Sequence, residues 1–297
     1  MVQRNEAPSE AGKPGSSDER PNPAFSIVIP AHNEERVIAR CLEEIRDIAD
    51  RVEIIVVANG CTDSTVKIAK HFSSVKIVEL AEASKSAALN AGDEAASSFP
   101  RIYLDADVRV SAEALRDLAA QLAGPRAAVG SPTVSFDISR SSFLAKSFYR
   151  AYEKTPYIAF GLVGLGVYGL SQAGRGRFDR FPAFIADDLF VQRHFAMEER
   201  VRGGGTFVVY APRNALQLLK VRIRVAKGNR QIAASSGYQS NFNGSRTSTR
   251  TIRSLARSAR TSPMSAFDTS VYVLLTATSR VLSRMSNTQW LRDESTR

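Results

Sequence analysis

Short apolar runs separated by helix-length stretches organise the first half of the chain. Residues 25–30 (FSIVIP), 52–57 (VEIIVV), 75–79 (VKIVE) and 101–104 (RIYL) are rich in β-branched and aromatic side chains, and each predicts a strand. Between them, apolar residues recur three and four apart. Val37, Ile38, Cys41, Leu42 and Ile45 share one face of a helix that Asn33 is placed to cap. Val66, Ala69 and Phe72 mark a second helix, residues 84–92 run into a third, and Leu115, Leu118 and Leu122 mark a fourth with Ser111 at its cap position. Repeated β-α units predict an α/β fold: a doubly wound, mostly parallel sheet with helices on both faces and ligands at the C-terminal ends of the strands.

The pattern weakens towards the C-terminus. Residues 231–262 are rich in Ser, Arg and Asn with little periodicity, which predicts a mobile lid or a linker. Residues 271–285 predict a short amphipathic helix with Arg280 and Arg284 on one side, packed on the main body. Residues 1–22 are polar and lack the apolar core of a secretory signal, so they are expected to form a disordered leader. The longest apolar run near the C-terminus, residues 271–277, falls far short of the ~20 residues that span a bilayer. A soluble, cytoplasmic chain is therefore expected.

Charge adds one feature to this outline. The 297 residues include 40 basic and 30 acidic side chains, a net +10, and residues 213–260 contain no acid at all. Such a segment suits an anionic partner: a nucleotide diphosphate, the surface of an anionic membrane or a nucleic acid. A plain solvated face is the alternative. The two cysteines lack metal-ligand spacing.

The chemistry concentrates in two acidic pairs. Asp105-Ala106-Asp107 follows the strand-like run 101–104, which puts hard oxygen ligands where a divalent cation can bridge to a diphosphate. Asp187-Asp188 precedes Leu189-Phe190-Val191 and reads either as the first turn of a helix, complementing its dipole, or as a general-base pair. His194 follows as a candidate third metal ligand or an ordinary helix-surface residue. Residues 161–169 are glycine-rich but lack the Lys and Ser/Thr of a phosphate-binding loop. They fit close backbone approach to a ligand, or simple tight packing.

Four of these loops together carry a resemblance. Ile27-Val28-Ile29-Pro30-Ala31-His32-Asn33-Glu34, Asn59-Gly60-Cys61-Thr62-Asp63, Lys85-x-x-Ala88-Leu89-Asn90-x-Gly92 and Asp105-Ala106-Asp107 have the order and spacing of the nucleotide-binding half of family 2 glycosyltransferases, which have the GT-A fold. The likeness continues through Gly164-Leu165-Gly166-Val167-Tyr168 and Asp187-Asp188 to Arg222-Ile223-Arg224, with Gly228 beyond. It implies a metal-dependent, inverting glycosyltransferase that moves a sugar from a nucleotide-sugar donor to a hydroxyl acceptor, lipid-linked acceptors included, in cell-envelope or polysaccharide synthesis. Pro30, Ala31, Asn33 and Glu34 would line the nucleoside pocket beside Asn59 and Asp63, and Lys85 would approach the base or diphosphate. Asp107 would ligate Mg2+ or Mn2+, while Asp105, beside Ala106, would bind the ribose or metal-bound water. Arg222 and Arg224 would approach the diphosphate. Asp188 would be the base and Asp187 its orienting neighbour.

Two departures from the family pattern bear on the substrate. Ala58 stands where many members carry an acid that reads uracil, which leaves UDP-, GDP- and dTDP-sugars open. Val225 stands where processive members carry an aromatic residue, which points to single transfers. The resemblance implies a catalytic domain over residues 24–230, nucleotide-binding in 24–124 and acceptor-binding in 125–230. A leader (1–23) and a basic, partly disordered C-terminal extension (231–297) flank it, and the extension is a candidate for peripheral contact with an anionic membrane. The competing function is a non-catalytic anion-binding protein on a degenerate transferase fold. Two intact acidic pairs argue against that reading and against nucleic acid as a partner.

Overall fold

The computed structural model describes residues 24–159, 164–235 and 244–285. Along the chain the elements are β1 (Ser26–Ala31), α1 (Ile38–Glu44), β2 (Glu53–Asn59), α2 (Thr65–Ala69), β3 (Val75–Leu80), α3 (Lys85–Ala95), β4 (Arg101–Leu104), β5 (Arg109–Val110) and α4 (Ala112–Leu122). They continue with β6 (Val129–Asp137), α5 (Phe143–Tyr152), α6 (Pro156–Ala159), β7 (Val167–Leu170), α7 (Gln172–Arg175), α8 (Asp187–Gln192), β8 (Arg200–Tyr210), α9 (Ala215–Ala234), α10 (Gly244–Ala259) and α11 (Pro263–Met285).

The strands form one eight-stranded sheet in the order β3-β2-β1-β4-β7-β6-β8-β5. Its first four strands are all parallel; β7 is antiparallel to β4 and β6, β8 is parallel to β6, and β5 is antiparallel to β8. The sheet is therefore mostly parallel with helices on both sides, as the alternating pattern predicts. β4 and β7 lie at its centre with β1 beside β4, and every residue of β1 is buried. One apolar core, including Ile27, Ile29, Ile54, Leu115 and Leu118, fills the face under α1 and α4. A second, with Val28, Ile55, Leu89, Tyr103 and Phe190, fills the face under α3 and α8. α3 lies close on β1 because position 92 is glycine: a Cβ there would stand 2.2 Å from Val28 Cγ1.

Several local expectations are corrected. Asn33 does not cap α1. It adopts φ 52°, and its Oδ1 accepts from Thr62 N at 2.8 Å, so it pins a turn, and α1 begins at Ile38. Residues 244–259 of the expected lid or linker form the helix α10, on which Arg250, Arg253 and Arg257 are exposed while Leu255 is buried. The helical period was hidden by its many Ser, Thr and Arg residues, which hold few apolar markers. The boundary drawn at residue 230 falls inside α9, and α11 begins at Pro263, eight residues before the expected Val271 start. The expected leader lies outside the described residues, as do residues 160–163, which begin the glycine-rich run, and residues 286–297. Among the described residues no helix is long and apolar enough to cross a membrane.

Candidate active site

The site is organised by α3. Ser84 caps this helix by accepting from Ala87 N at 3.2 Å, which places Lys85 at the first helical position, beyond the end of β3. Its ammonium stands 2.9 Å from Asp105 Oδ1 and 3.0 Å from Asp187 Oδ1. Two acidic pairs far apart in sequence thus share one cation. One turn further along, buried Asn90 donates to Phe181 O (3.0 Å) and accepts from Phe181 N (2.8 Å). That double hydrogen bond ties α3 to the segment leading into α8, and so fixes where Asp187 and Asp188 emerge.

The acids are held from several sides. Asp105 N donates to Gly166 O at 2.7 Å, joining the end of β4 to the turn before β7. Tyr168, on β7, donates its hydroxyl to Asp187 Oδ2 at 3.1 Å and stacks on Tyr103 with ring centroids 4.9 Å apart. Tyr103 in turn donates to Asp93 Oδ1 at 2.6 Å, and Asp93 is paired with Arg101 and Arg175, both at 2.6 Å. Asp188 accepts from Leu189 N at 2.7 Å through Oδ1 and faces Leu165 N at 3.4 Å through Oδ2. The glycine at 164 is required: its φ is +129°, and a Cβ there would lie 2.6 Å from both Cβ and Oδ2 of Asp188.

Electrostatics separate the roles of these groups. Burial alone would lower the pKa of Lys85, but Asp105 and Asp187 outweigh it and raise it well above the ordinary lysine range. Asp105 is raised by its partial removal from water and by Asp187 and Asp107, with Lys85 opposing. Asp188 is pushed up to about 6 by burial and then by the like charge of Asp187, with Lys85 again opposing. A carboxylate titrating there is suited to accept a proton near neutral pH.

Not every expected site residue joins this cluster. Pro30 and Ala31 end β1, and Asn59 ends β2 with its amide turned back to donate to Ala31 O at 2.9 Å. Asn33, buried Glu34 and Asp63 brace one another's loops: Glu34 N donates to Thr65 Oγ1 at 2.7 Å, and Asp63 accepts from Glu35 N at 3.0 Å and Thr65 N at 3.0 Å. Burial would raise the Asp63 carboxyl, but the hydrogen bonds from Thr65 and Glu35 hold it below the usual range. These residues form a second loop group on the same edge of the sheet as the acids. Arg222, on α9, lies over the rings of Phe148 and Tyr152, 5.4 Å from each centroid, where burial raises Tyr152 and Tyr157 and Asp188 adds to it. Arg224 is about 200° further round α9 and cannot share that position. Gly228 lets α9 approach the loop before α8, because a Cβ would stand 2.9 Å from Ala186 Cβ.

His194 gives its Nδ1 to Phe190 O at 2.9 Å and packs on Phe178 and Phe190, away from a ligand role. Tyr168, Asn90 and Asp93 carry much of the site's order, yet pattern reading assigned none of them a role. Two were visible in the motifs as bare letters; what they bind depends on Phe181 and Asp187, which the sequence places about 90 and 19 positions away.

The family model for "Glycosyl transferase family 2" matches residues 26–178, just over half of the chain, and the chain belongs to that family. Among curated relatives it is 32% identical over 93 residues to the glycosyltransferase AglE of Haloferax volcanii, a match covering 29% of this chain and 31% of that protein. It is 33% identical over 91 residues to the uncharacterized glycosyltransferase YibD of Escherichia coli K12, covering 29% and 26%. The matched stretch spans under a third of the length of these relatives. Among solved structures, the mannosyltransferase PcManGT from Pyrobaculum calidifontis, in complex with GDP-Man and Mn2+, superposes with TM-score 0.57 at 19% identity over 89% of this chain and 84% of that one. Glucosyl-3-phosphoglycerate synthase from Mycobacterium tuberculosis, in complex with phosphoglyceric acid, gives 0.53 at 16% identity over 73% and 81%. At these identities the superpositions establish the shared fold.

Proposed function

We propose that this chain is an inverting glycosyltransferase that moves a sugar from a nucleotide-sugar donor to a hydroxyl acceptor, with Asp188 as the base. The observation that carries this reading is the Lys85 ammonium between Asp105 and Asp187, because it gathers the acids after β4 and those opening α8 around one space. Asp188 removes the proton of the attacking hydroxyl. Asp187, fixed by Tyr168 and Lys85, keeps a negative charge beside it that raises its basicity. Tyr152, Tyr157 and Arg222 form an aromatic and cationic wall on the side of Asp188, where the acceptor enters. Residues 24–230 supply the core of this machinery.

A divalent cation fits the remaining acids. Asp105 and Asp107 offer hard carboxylate oxygens, and Asp107 is close enough to raise the cost of charge on Asp105. Among the described residues no three His, Cys, Asp or Glu side chains converge into a cage, which suits Mg2+ or Mn2+ held by one or two carboxylates and completed by substrate phosphates and water. Asp107 with Asp105 would hold the ion, and the chemistry it supplies when bound is neutralisation of charge on the departing diphosphate.

The donor base stays open between uracil, guanine and thymine. Ala58 is buried between Ala31 and Glu79 in the sheet, and Asn59 spends its amide on Ala31, so neither reads a uracil edge. Screening UDP-, GDP- and dTDP-sugars for Mn2+-dependent thermal stabilisation identifies the donor, since a true ligand raises Tm by mass action. The basic C-terminal helices favour a lipid-linked acceptor. Asp188→Asn tests the assignment: transfer is lost while stabilisation by the donor is kept. A variant that still transfers at the wild-type rate would remove Asp188 from the role of base.

A further inference from the structure

α11 is built inside out. Its fully buried positions are Ser265, Asp268, Val271, Ser279 and Ser283, polar in all but one case, and half-buried Tyr272 and Leu275 pack beside Val271 on the α5 aromatic cluster. Its outward positions include Met264, Phe267, Leu274 and Val281, and Leu274 is 68% exposed whereas Asp268 is 2% and Ser279 1%. An ordinary surface helix has the opposite pattern. Three of the fully buried polar groups are partnered: Arg150 grips Asp268 through Nε (2.8 Å) and Nη2 (2.6 Å), and the hydroxyls of Ser279 and Ser283 each donate to a carbonyl of their own helix at 2.8 Å. The apolar stripe also continues beyond the helix. Phe143, exposed on α5, has its ring 5.5 Å from that of Phe267.

Charge selects what covers this face. Between residues 200 and 292 the sequence holds a single acid, Asp268, and that one is buried and paired. Arg280 and Arg284 are exposed beside Val281, and Arg250, Arg253 and Arg257 are exposed on the adjacent α10. A second copy meeting the first through this face would set arginine against arginine. An anionic bilayer accepts the apolar side chains below its headgroups and the guanidinium groups at them. We propose that the outward face of α11, extended by Phe143, docks this protein on an anionic lipid surface. α11 packs on α5 and α9, the helices that carry Tyr152 and Arg222, so docking sets the acceptor side of the molecule against the membrane.

Vesicle co-sedimentation of the full chain tests this independently of sugar transfer. Wild type should pellet with vesicles of phosphatidylcholine containing about a third phosphatidylglycerol, remain in solution with phosphatidylcholine alone, and be released by salt. Joint Phe267→Glu and Leu274→Glu substitution should weaken binding at least about tenfold with unchanged Tm, since both side chains already face solvent. Arg280→Gln with Arg284→Gln should reduce the preference for phosphatidylglycerol, and Asp188→Asn should bind vesicles like wild type. Failure to pellet with anionic vesicles, or binding indifferent to the double glutamate substitution, overturns the proposal. So does a stable dimer that the same substitution dissolves without any vesicle binding, because a second copy would then be the cover.

Discussion

β1 and α11 use the same kinds of side chain in opposite directions. In β1 all six residues are buried, and four of them are aliphatic side chains in the sheet's two cores, where they set the position of Pro30 and Ala31. In α11 the fully buried groups are serines, an aspartate and one valine, and Met264, Phe267, Leu274 and Val281 point away from the protein. The first half of the chain is a fold stabilised by its own interior. The inner side of α11 buries an ion pair beside Val271 and leaves much of the helix's apolar surface for something outside. The active site lies between these two regimes: α3 and β4 bring Lys85 and Asp105 from the first, and α8 brings Asp187 and Asp188 from the more polar second half.

The largest expected effect is at the junction. Asp188 is half-buried next to Asp187, so its charge comes at a cost in stability. With its pKa raised from 3.8 to about 6, kcat/KM should fall as pH drops through about 6, where the base becomes protonated. Asp188→Asn should cost on the order of 10²- to 10⁴-fold in turnover and abolish that acidic limb. The sign for stability is opposite. A carboxyl whose folded pKa is raised binds its proton more tightly in the native state, so its stabilising protonation is complete below pH 3.8 and lost as pH rises through about 6. At pH 8 the asparagine variant should therefore be more stable than wild type by on the order of 2 kcal/mol, and the difference should vanish in acid, as urea unfolding at the two pH values will show. A variant that is less stable at pH 8 would mean that Asp188 is a structural cap for α8.

The contrast between β1 and α11 can be measured directly. Ile29→Ala should cost about 2–5 kcal/mol, because the cavity it leaves in the core cannot refill. Leu274→Ala should fall within about 0.5 kcal/mol of wild type in detergent-free solution, the range of surface substitutions. Arg150→Ala should return to the scale of the core, roughly 3 kcal/mol, because it leaves the Asp268 carboxylate buried without its partner. Equal losses at Ile29 and Leu274 would show that the α11 face is covered by protein in solution.

The same contrast explains what could be read from the sequence. The strands at 26–31, 53–59 and 101–104 were legible because burial on both faces leaves nearly unbroken apolar runs, and the half-exposed edge strand at 75–80 because its β-branched residues alternate with polar ones. Asp105, Asp107, Asp187 and Asp188 were legible because acids after strand-like or before helix-like runs stand out. β6 and β8 were not anticipated, since β8 runs through Gly203, Gly204 and Gly205 and its stability comes from pairing with β6. α10 and the first turns of α11 were hidden because their periodicity is carried by serine and arginine, residues that pattern reading takes as signs of a loop. The shared ammonium of Lys85 was equally invisible: a lysine after a serine is a common helix start, and only the fold brings Asp187 to it.

The smallest effect offers the finest test, and it lies wholly within the legible half. Ser84 and Ser111 are equivalent as local structure: each caps an eleven-residue helix and each accepts from the main-chain N–H three residues on at 3.2 Å. Ser84→Ala and Ser111→Ala should each lower stability by about 1 kcal/mol, as cap removals do. Their effects on the site should differ. Ser111 opens α4, which packs under the sheet, whereas Ser84 sets the first turn of α3 and hence the place of the Lys85 ammonium between Asp105 and Asp187. A frayed first turn lets that ammonium wander, and each carboxylate it leaves becomes harder to ionise. Ser84→Ala should therefore weaken stabilisation by the nucleotide-sugar donor a few-fold beyond Ser111→Ala at matched loss of Tm, because the binding-competent arrangement becomes only partly populated. If the two variants bind donor alike, Lys85 is held by its acidic partners and not by the start of its helix, and the order of the site arises from the second half of the chain.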